Sequence, residues 1–146
     1  MVQNNKMILS FSSVSGNEGF ARATVAAFAA KLDPTIEELE DIKTAVSEAV
    51  TNAIIHGYNN QEAMVYLEAT IVNNVIEIIV KDEGCGIADL ELAREATYTS
   101  RPDLERSGMG FTIMEHLVDE IEIMSIVEKG TQITMRKKIQ NSVPVN

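Results

Sequence analysis

Apolar and polar positions repeat along the chain with two different periods, and each change of period marks a new element. Residues 7–13 form a short apolar-rich run that reads as a strand. Ser15-Gly16-Asn17-Glu18 follows with capping-box spacing, Ser15 at the cap and Glu18 reaching back. The helix predicted from there to about Lys31 is rich in alanine and carries Phe20, Ala23, Ala27 and Ala30 at helical spacing. Asp33-Pro34 supplies a cap and a first-turn proline for a second helix. Its apolar stripe is Ile36, Leu39, Ile42, Val46, Val50 and Ala53, and it stops at Gly57, read as a C-terminal glycine. Two β-rich runs, 65–72 and 75–80, flank Asn73-Asn74, a pair that tolerates left-handed backbone, so a hairpin is expected. Residues 89–96 read as a short helix, 98–107 as a loop, and 111–118 as a third helix preceded by Gly108-Met109-Gly110. A second hairpin joins 121–127 to 131–139 across Glu128-Lys129-Gly130, and the tail from Gln140 is expected to fray. With few strand-helix-strand units, the class is α+β, one sheet covered by helices on one face.

Composition narrows the picture. A chain of 146 residues makes one domain and buries enough surface to need no disulfide or metal staple. Hydrophobic residues at 45% and charged residues at 23% are globular values and exclude a disordered chain. No apolar run reaches the ~20 residues of a membrane span. The polar start, residues 1–6, lacks the apolar core of an export signal, and the single cysteine, Cys85, fits a reducing cytoplasm. Lys and Arg number 12 against 22 Asp and Glu, a net charge of −10. Phosphate backbones and anionic lipids repel such a chain, which disfavours nucleic-acid and membrane-surface roles. The basic cluster Arg136-Lys137-Lys138 is small. A basic protein partner would be attracted, although acidity also serves plain solubility.

Several segments carry candidate chemistry. Glu48, Asn52 and His56 are spaced i, i+4, i+8 on one helix face, away from the Val46/Val50/Ala53 stripe. The early turns of that helix are charged, with Glu37, Glu38, Glu40, Asp41 and Lys43. The later ones, with Thr44, Ser47, Thr51 and Ile55, are mostly uncharged, as if facing a site. Glu and Asn oxygens suit magnesium, although a helix edge with incidental polar residues fits the same pattern. In Asp82-Glu83-Gly84-Cys85-Gly86, strand alternation places Asp82 on the side of Ile76, Ile78 and Val80. A carboxylate on a core face needs partners, and here it could accept from a purine's exocyclic amine, with Gly84 and Gly86 permitting close approach. A plain turn fits the same residues. Arg106-Ser107-Gly108-Met109-Gly110 opens a helix, where free N–H groups, glycines and arginine make an anion site, with Arg101 as a second candidate. A flexible linker with a cap also fits, and the segment is neither a Walker A sequence nor a dinucleotide fingerprint. Gly130-Thr131 alone reads as a hairpin turn. Cys85 has no His or Lys beside it to activate it, and two histidines with one cysteine make no convincing zinc site.

Taken in order, E-x-x-x-N on a helix, D-x-G-x-G after a strand, G-x-G opening a helix and G-T between strands resemble the GHKL (Bergerat-fold) ATP-binding superfamily. The likeness spans about Ile36 to Met135. Within that superfamily, the runs 47–58 and 105–115 resemble the anti-sigma factor serine kinases, above all the anti-sigma F group of spore-forming bacteria. The resemblance implies a two-layer α/β sandwich, a mixed and mostly antiparallel sheet with helices on one face, and ATP held between helices under a mobile lid. It implies a homodimer that binds a sporulation sigma factor when loaded with nucleotide and phosphorylates a serine of an anti-anti-sigma protein. It assigns Asn52 to Mg2+ and makes Glu48 the base for the incoming serine hydroxyl. It gives Asp82 the adenine amine, Gly84 and Gly86 the pocket shape, and Gly108 and Gly110 the phosphates. Arg106 would stabilise charge on the γ-phosphate, and Thr131 would lie near the adenine. The alternative within this family is an ATP-gated anti-sigma module that is catalytically idle. A histidine kinase would need a phosphoacceptor hairpin before the boxes, and a clamp ATPase would need a transducer domain after them.

Overall fold

The computed structural model describes residues 4–59, 61–89 and 110–140. The elements in chain order are β1 (Asn4–Ser12), α1 (Asn17–Ala29), α2 (Ile36–Asn52), β2 (Met64–Val72), β3 (Val75–Asp82), α3 (Gly110–Leu117), β4 (Glu120–Ile126) and β5 (Gly130–Lys138). A short 3-10 turn, Ala30–Leu32, follows α1, and a π-helical turn, Ala53–Gly57, follows α2. The predicted helix at 89–96, the loop at 98–107 and the tail after Gln140 lie almost wholly outside the described residues.

The strands form one sheet in the order β1-β2-β3-β5-β4, and every pairing is antiparallel. Both predicted hairpins are present, and Asn73 adopts the left-handed backbone (φ 55) expected of its turn. Register lines up the apolar side chains in rows across the sheet. Leu9, Leu67, Val80, Ile133 and Ile123 form one row, and Met7, Ala69, Ile78, Met135 and Ile121 the next. Period-2 alternation sends both rows to one face, where the core lies. Each fully buried Leu or Ile there contributes about 1.5–3 kcal/mol. The next row toward the end of β3 is polar: Asp82, Thr131 and Ser125. Among the described residues, no helix is long and apolar enough to cross a membrane.

The helices depart from expectation at their ends. Ser15 does not cap α1; Gly16 stands at the cap position without a side-chain bond, Asn17 donates to the Ser12 carbonyl, and Glu18 pairs with Arg22. The buried face of α1 is Ala21, Val25, Phe28 and Ala29, while Phe20 is 53% exposed. Alanine on nearly every face leaves the helical phase open in sequence, and Val25 with Phe28 settles it by packing. The capping box belongs to α2, where the Thr35 hydroxyl accepts from Glu38 N–H and the Glu38 carboxylate accepts from Thr35 N–H. Asp33 instead takes a left-handed conformation (φ 50), and Pro34 lies just before the cap. Burial pushes the Glu38 carboxyl up, but N–H groups of Thr35 and Gln140, the Thr35 hydroxyl and Lys137 outweigh it, and its pKa ends below the ordinary value. In α2, Ile42, Val46 and Val50 are buried as expected and joined by Ala45 and Ala49, whereas Ile36, in the first turn, is exposed.

The basic cluster is divided by the strand that carries it. Arg136 faces away from the helices and meets Glu77, Glu120 and Glu122, which hold its guanidinium pKa above the ordinary value. Lys137 faces the helices, donates to the Leu117 carbonyl at the end of α3 and lies 3.6 Å from Asp41 of α2. It thereby ties both helices to β5.

Candidate functional site

The site grows from the end of β3. Asp82 continues the alternation of Ile76, Ile78 and Val80 and is 3% exposed. Burial pushes its pKa up, and the N–H groups of Gly84 and Thr131 draw it partly back. Gly84 N–H donates to Asp82 Oδ1 at 2.9 Å. The loop beyond is pinned residue by residue. Glu83 N–H donates to the Tyr58 hydroxyl, Cys85 N–H to the Gly57 carbonyl and Ile87 N–H to Ser125 Oγ, while the Cys85 carbonyl accepts from Glu128. The Tyr58 hydroxyl also donates to the Met64 carbonyl at 2.6 Å. Its pKa is raised by burial, with Asp82 and Glu83 adding to the rise and the Glu83 N–H opposing it.

Gly57 and Gly84 are glycines because two backbones meet here. A Cβ on Gly57 would stand 2.6 Å from the Asp82 carboxylate carbon, and one on Gly84 would run into the Gly57 carbonyl. Gly84 serves close approach, and Gly86 (φ 74) supplies the left-handed backbone. Gly57 does not end α2 as a left-handed cap. It closes a π turn in which Tyr58 N–H bonds to the Ala53 carbonyl, five residues back. Regular helical spacing therefore ends at Asn52, and His56 leaves the i, i+4 line drawn through Glu48 and Asn52. The His56 carbonyl accepts from the Cys85 thiol. Gly57→Ala is expected to destabilise the protein by about 1–3 kcal/mol, since a methyl cannot fit against Asp82 without moving it. Thermal unfolding without nucleotide checks this, and an unchanged midpoint would mean that the turn had moved away from β3.

Glu48 and Asn52 are half-buried on the last turns of α2, beside half-buried Ser47, Thr51 and Ile55. Glu38, Asp41 and Lys43 in the earlier turns are half-buried as well, and Thr44 is exposed, so the change of composition along α2 is not matched by a change of burial. Among the described residues, no group of three or more His, Cys, Asp and Glu gathers to hold a metal. Gly110 is the first residue of α3, which packs against α2. Arg101, Arg106 and Gly108 lie outside the described residues. An open groove of about 270 Å³ runs between α1 and α2, lined by Arg22, Glu40, Lys43, Thr44 and Ser47.

The structure thus brings Asp82, Gly84, Gly86 and Thr131 together and adds Gly57, Tyr58 and Ser125. The sequence signal for Gly57 was present but pointed to a helix end. Ser125 carries no local signal, because its neighbours are set by strand register.

Residues 16–137 match the histidine kinase-like ATPase domain family. Curated relatives described as anti-sigma F factor are 57% identical over 139 residues in Geobacillus sp. strain WCH70 and 61% identical over 137 residues in Clostridium perfringens. These cover 94% and 93% of this chain, and 95% and 98% of the relatives. This chain belongs to the anti-sigma F factor family. A third such relative, from Clostridium acetobutylicum, is 59% identical over 92% of the chain and 94% of its own length. A solved structure of the RsbU and RsbW domains of a Mycobacterium tuberculosis protein matches the fold at a TM-score of 0.66 and 20% identity. The match covers 97% of this chain and 35% of that one. As an anti-sigma F family member, the chain carries an ATP-binding domain of the histidine kinase-like type on an α+β fold.

Proposed function

We propose that this chain is an ATP-dependent anti-sigma factor that is also a protein-serine kinase. On this reading it binds and inhibits a sporulation sigma factor, phosphorylates an anti-anti-sigma protein on serine, and works in the cytoplasm as a homodimer. The observation that carries the nucleotide part is the buried Asp82 carboxylate, walled by two glycines that leave no room for a Cβ. Such a carboxylate is a ready acceptor for an adenine amine, and Thr131 is its partner across the strand pair. The names of relatives at 57% and 61% identity support the sigma-factor part.

When bound, Mg-ATP would supply the phosphoryl group and the cation. Asp82 and Thr131 would hold the base, Gly84 and Gly86 would shape its pocket, and Gly108 and Gly110 would offer N–H groups to phosphates. Asn52 would contribute an oxygen to magnesium, and Arg106 would stabilise charge on the γ-phosphate. Glu48 takes the proton of the incoming serine hydroxyl. Phosphoryl transfer rests on such positioning and charge stabilisation. Two surfaces are offered to protein partners on this reading, the first helix, including Arg22 in the groove beside α2, and the open face of the sheet. The homodimer is supported by apolar side chains on the sheet face away from the helices, with Ile8 74%, Met124 67% and Ile126 62% exposed.

The test is an intact-mass measurement on a mixture of the protein, magnesium-ATP and an anti-anti-sigma protein. One added phosphate on a serine of the partner is expected. No added mass, together with ATP-dependent co-elution of a sigma factor, would make the chain an idle ATP-gated binding module instead.

A further inference from the structure

The polar row at the end of the sheet holds one side chain to which no role has been given. Ser125 of β4 is the register partner of Thr131 in β5, which is in turn the partner of Asp82. Its Oγ lies 2.8 Å from Thr131 Oγ1, accepts from Ile87 N–H at 2.7 Å, and lies 3.3 Å from the Gly130 carbonyl. A serine hydroxyl has one proton to give and two lone pairs. One lone pair is taken by Ile87. The proton has two acceptors within reach, Thr131 Oγ1 at 2.8 Å and the Gly130 carbonyl at 3.3 Å, and either hydroxyl of the Ser125–Thr131 pair can be the donor. With the Ser125 proton on the shorter of the two contacts, Thr131 receives a hydrogen bond from Ser125 and keeps its own proton to donate. Among the described residues, the Thr131 hydroxyl makes no other hydrogen bond.

We propose that Ser125 is a positioning residue that fixes Thr131 as a hydrogen-bond donor and so sets the preference of this site for adenine over guanine. The proposal rests on the nucleotide reading above. Asp82 is an acceptor. Thr131, its direct register partner on the same face, is held as a donor. Together they match the adenine edge, where the exocyclic amine donates and the adjacent ring nitrogen accepts. Guanine presents the opposite order, a carbonyl beside a ring N–H, and meets two mismatches. A site built to hydrogen-bond one pattern rejects another because its polar groups are left unpaired. Ser125 also anchors Ile87 at the end of the pinned loop, so one hydroxyl holds both the reading group and the wall of the pocket.

The experiment measures ATP and GTP dissociation constants by calorimetry for the full chain and for Ser125→Ala, Ser125→Thr, Thr131→Val and the Ser125→Ala/Thr131→Val double variant. The unmodified chain is expected to favour ATP. Ser125→Ala should narrow the ATP-to-GTP ratio by roughly five- to tenfold, the worth of one hydrogen bond. Ser125→Thr, which keeps the hydroxyl, should restore the ratio. In the Thr131→Val background, Ser125→Ala should leave the ratio unchanged, because nothing remains to orient. A ratio untouched by Ser125→Ala would overturn the proposal, as would equal effects with and without Thr131. If the unmodified chain bound neither nucleotide, the nucleotide reading itself would fall, an outcome distinct from these.

Discussion

Glu48→Ala is expected to slow phosphoryl transfer to the partner serine by about 10²- to 10⁴-fold, the usual worth of a positioned general base. ATP affinity should stay within a fewfold of the unmodified chain. Glu48 lies one helical turn before Asn52, half-buried, on the stretch of α2 that turns from charged to uncharged. Its neighbours Ala45 and Ala49 carry the packing at that level and are untouched by the change. Alanine is also the best helix former, so α2 itself should not suffer. On the proposed reading the carboxylate acts on the incoming hydroxyl, whereas the proposed contacts to the adenine sit on β3 and β5. Single-turnover transfer, followed by the mass of the partner, gives the rate, and calorimetry gives the ATP affinity. Transfer near the original rate would remove Glu48 from the role of base. A parallel fall in ATP affinity would move it to the nucleotide.

Asp82→Asn is expected to weaken ATP binding by roughly 10- to 100-fold, since a hydrogen bond to a charged group contributes about 1.5–3 kcal/mol. Calorimetry at neutral pH checks this, and an unchanged affinity would remove Asp82 from the adenine contact. The pH dependence gives a second, independent readout. Burial raises the Asp82 pKa above its ordinary 3.8, so the carboxyl takes up its proton at a higher pH than an exposed aspartate would. The charged acceptor is fully present above the raised value and lost as pH falls through it. ATP affinity of the unmodified chain should therefore decline before the ordinary carboxylate range is reached, and the Asp82→Asn affinity should stay flat over the same interval. The stability term has the opposite sign. A raised folded-state pKa favours the folded chain while Asp82 is protonated, and that contribution disappears as pH rises through the folded value. The ionised aspartate at neutral pH is thus a cost to the empty fold, of the kind that binding sites carry.

Much of the fold is legible in local pattern. The alternation through Ile76, Ile78, Val80 and Asp82 placed the carboxylate on the core side, and the structure buries it there. Asn73 marked its turn through the left-handed backbone that Asn tolerates. Where the pattern misled, the cause was local ambiguity. Ser15-x-x-Glu18 and Thr35-x-x-Glu38 have the same capping spacing, and only the second closes. Alanine on all sides of α1 gave Phe20 a place in a stripe that Val25 and Phe28 in fact define.

What the sequence by itself determined is therefore the strands and helices among the described residues, the core face of β3, and the identity of Glu48, Asn52, Asp82 and the glycines as candidates. These follow from neighbours a few residues apart, where backbone geometry imposes periods of 2 and 3.6. What only the tertiary structure decided is which distant groups meet. The π turn brings Gly57 against Asp82, Tyr58 reaches the loop after β3, and antiparallel register lines up Asp82, Thr131 and Ser125. Those contacts join elements far apart in the chain. They depend on strand order, register and close packing, which no short window of residues contains.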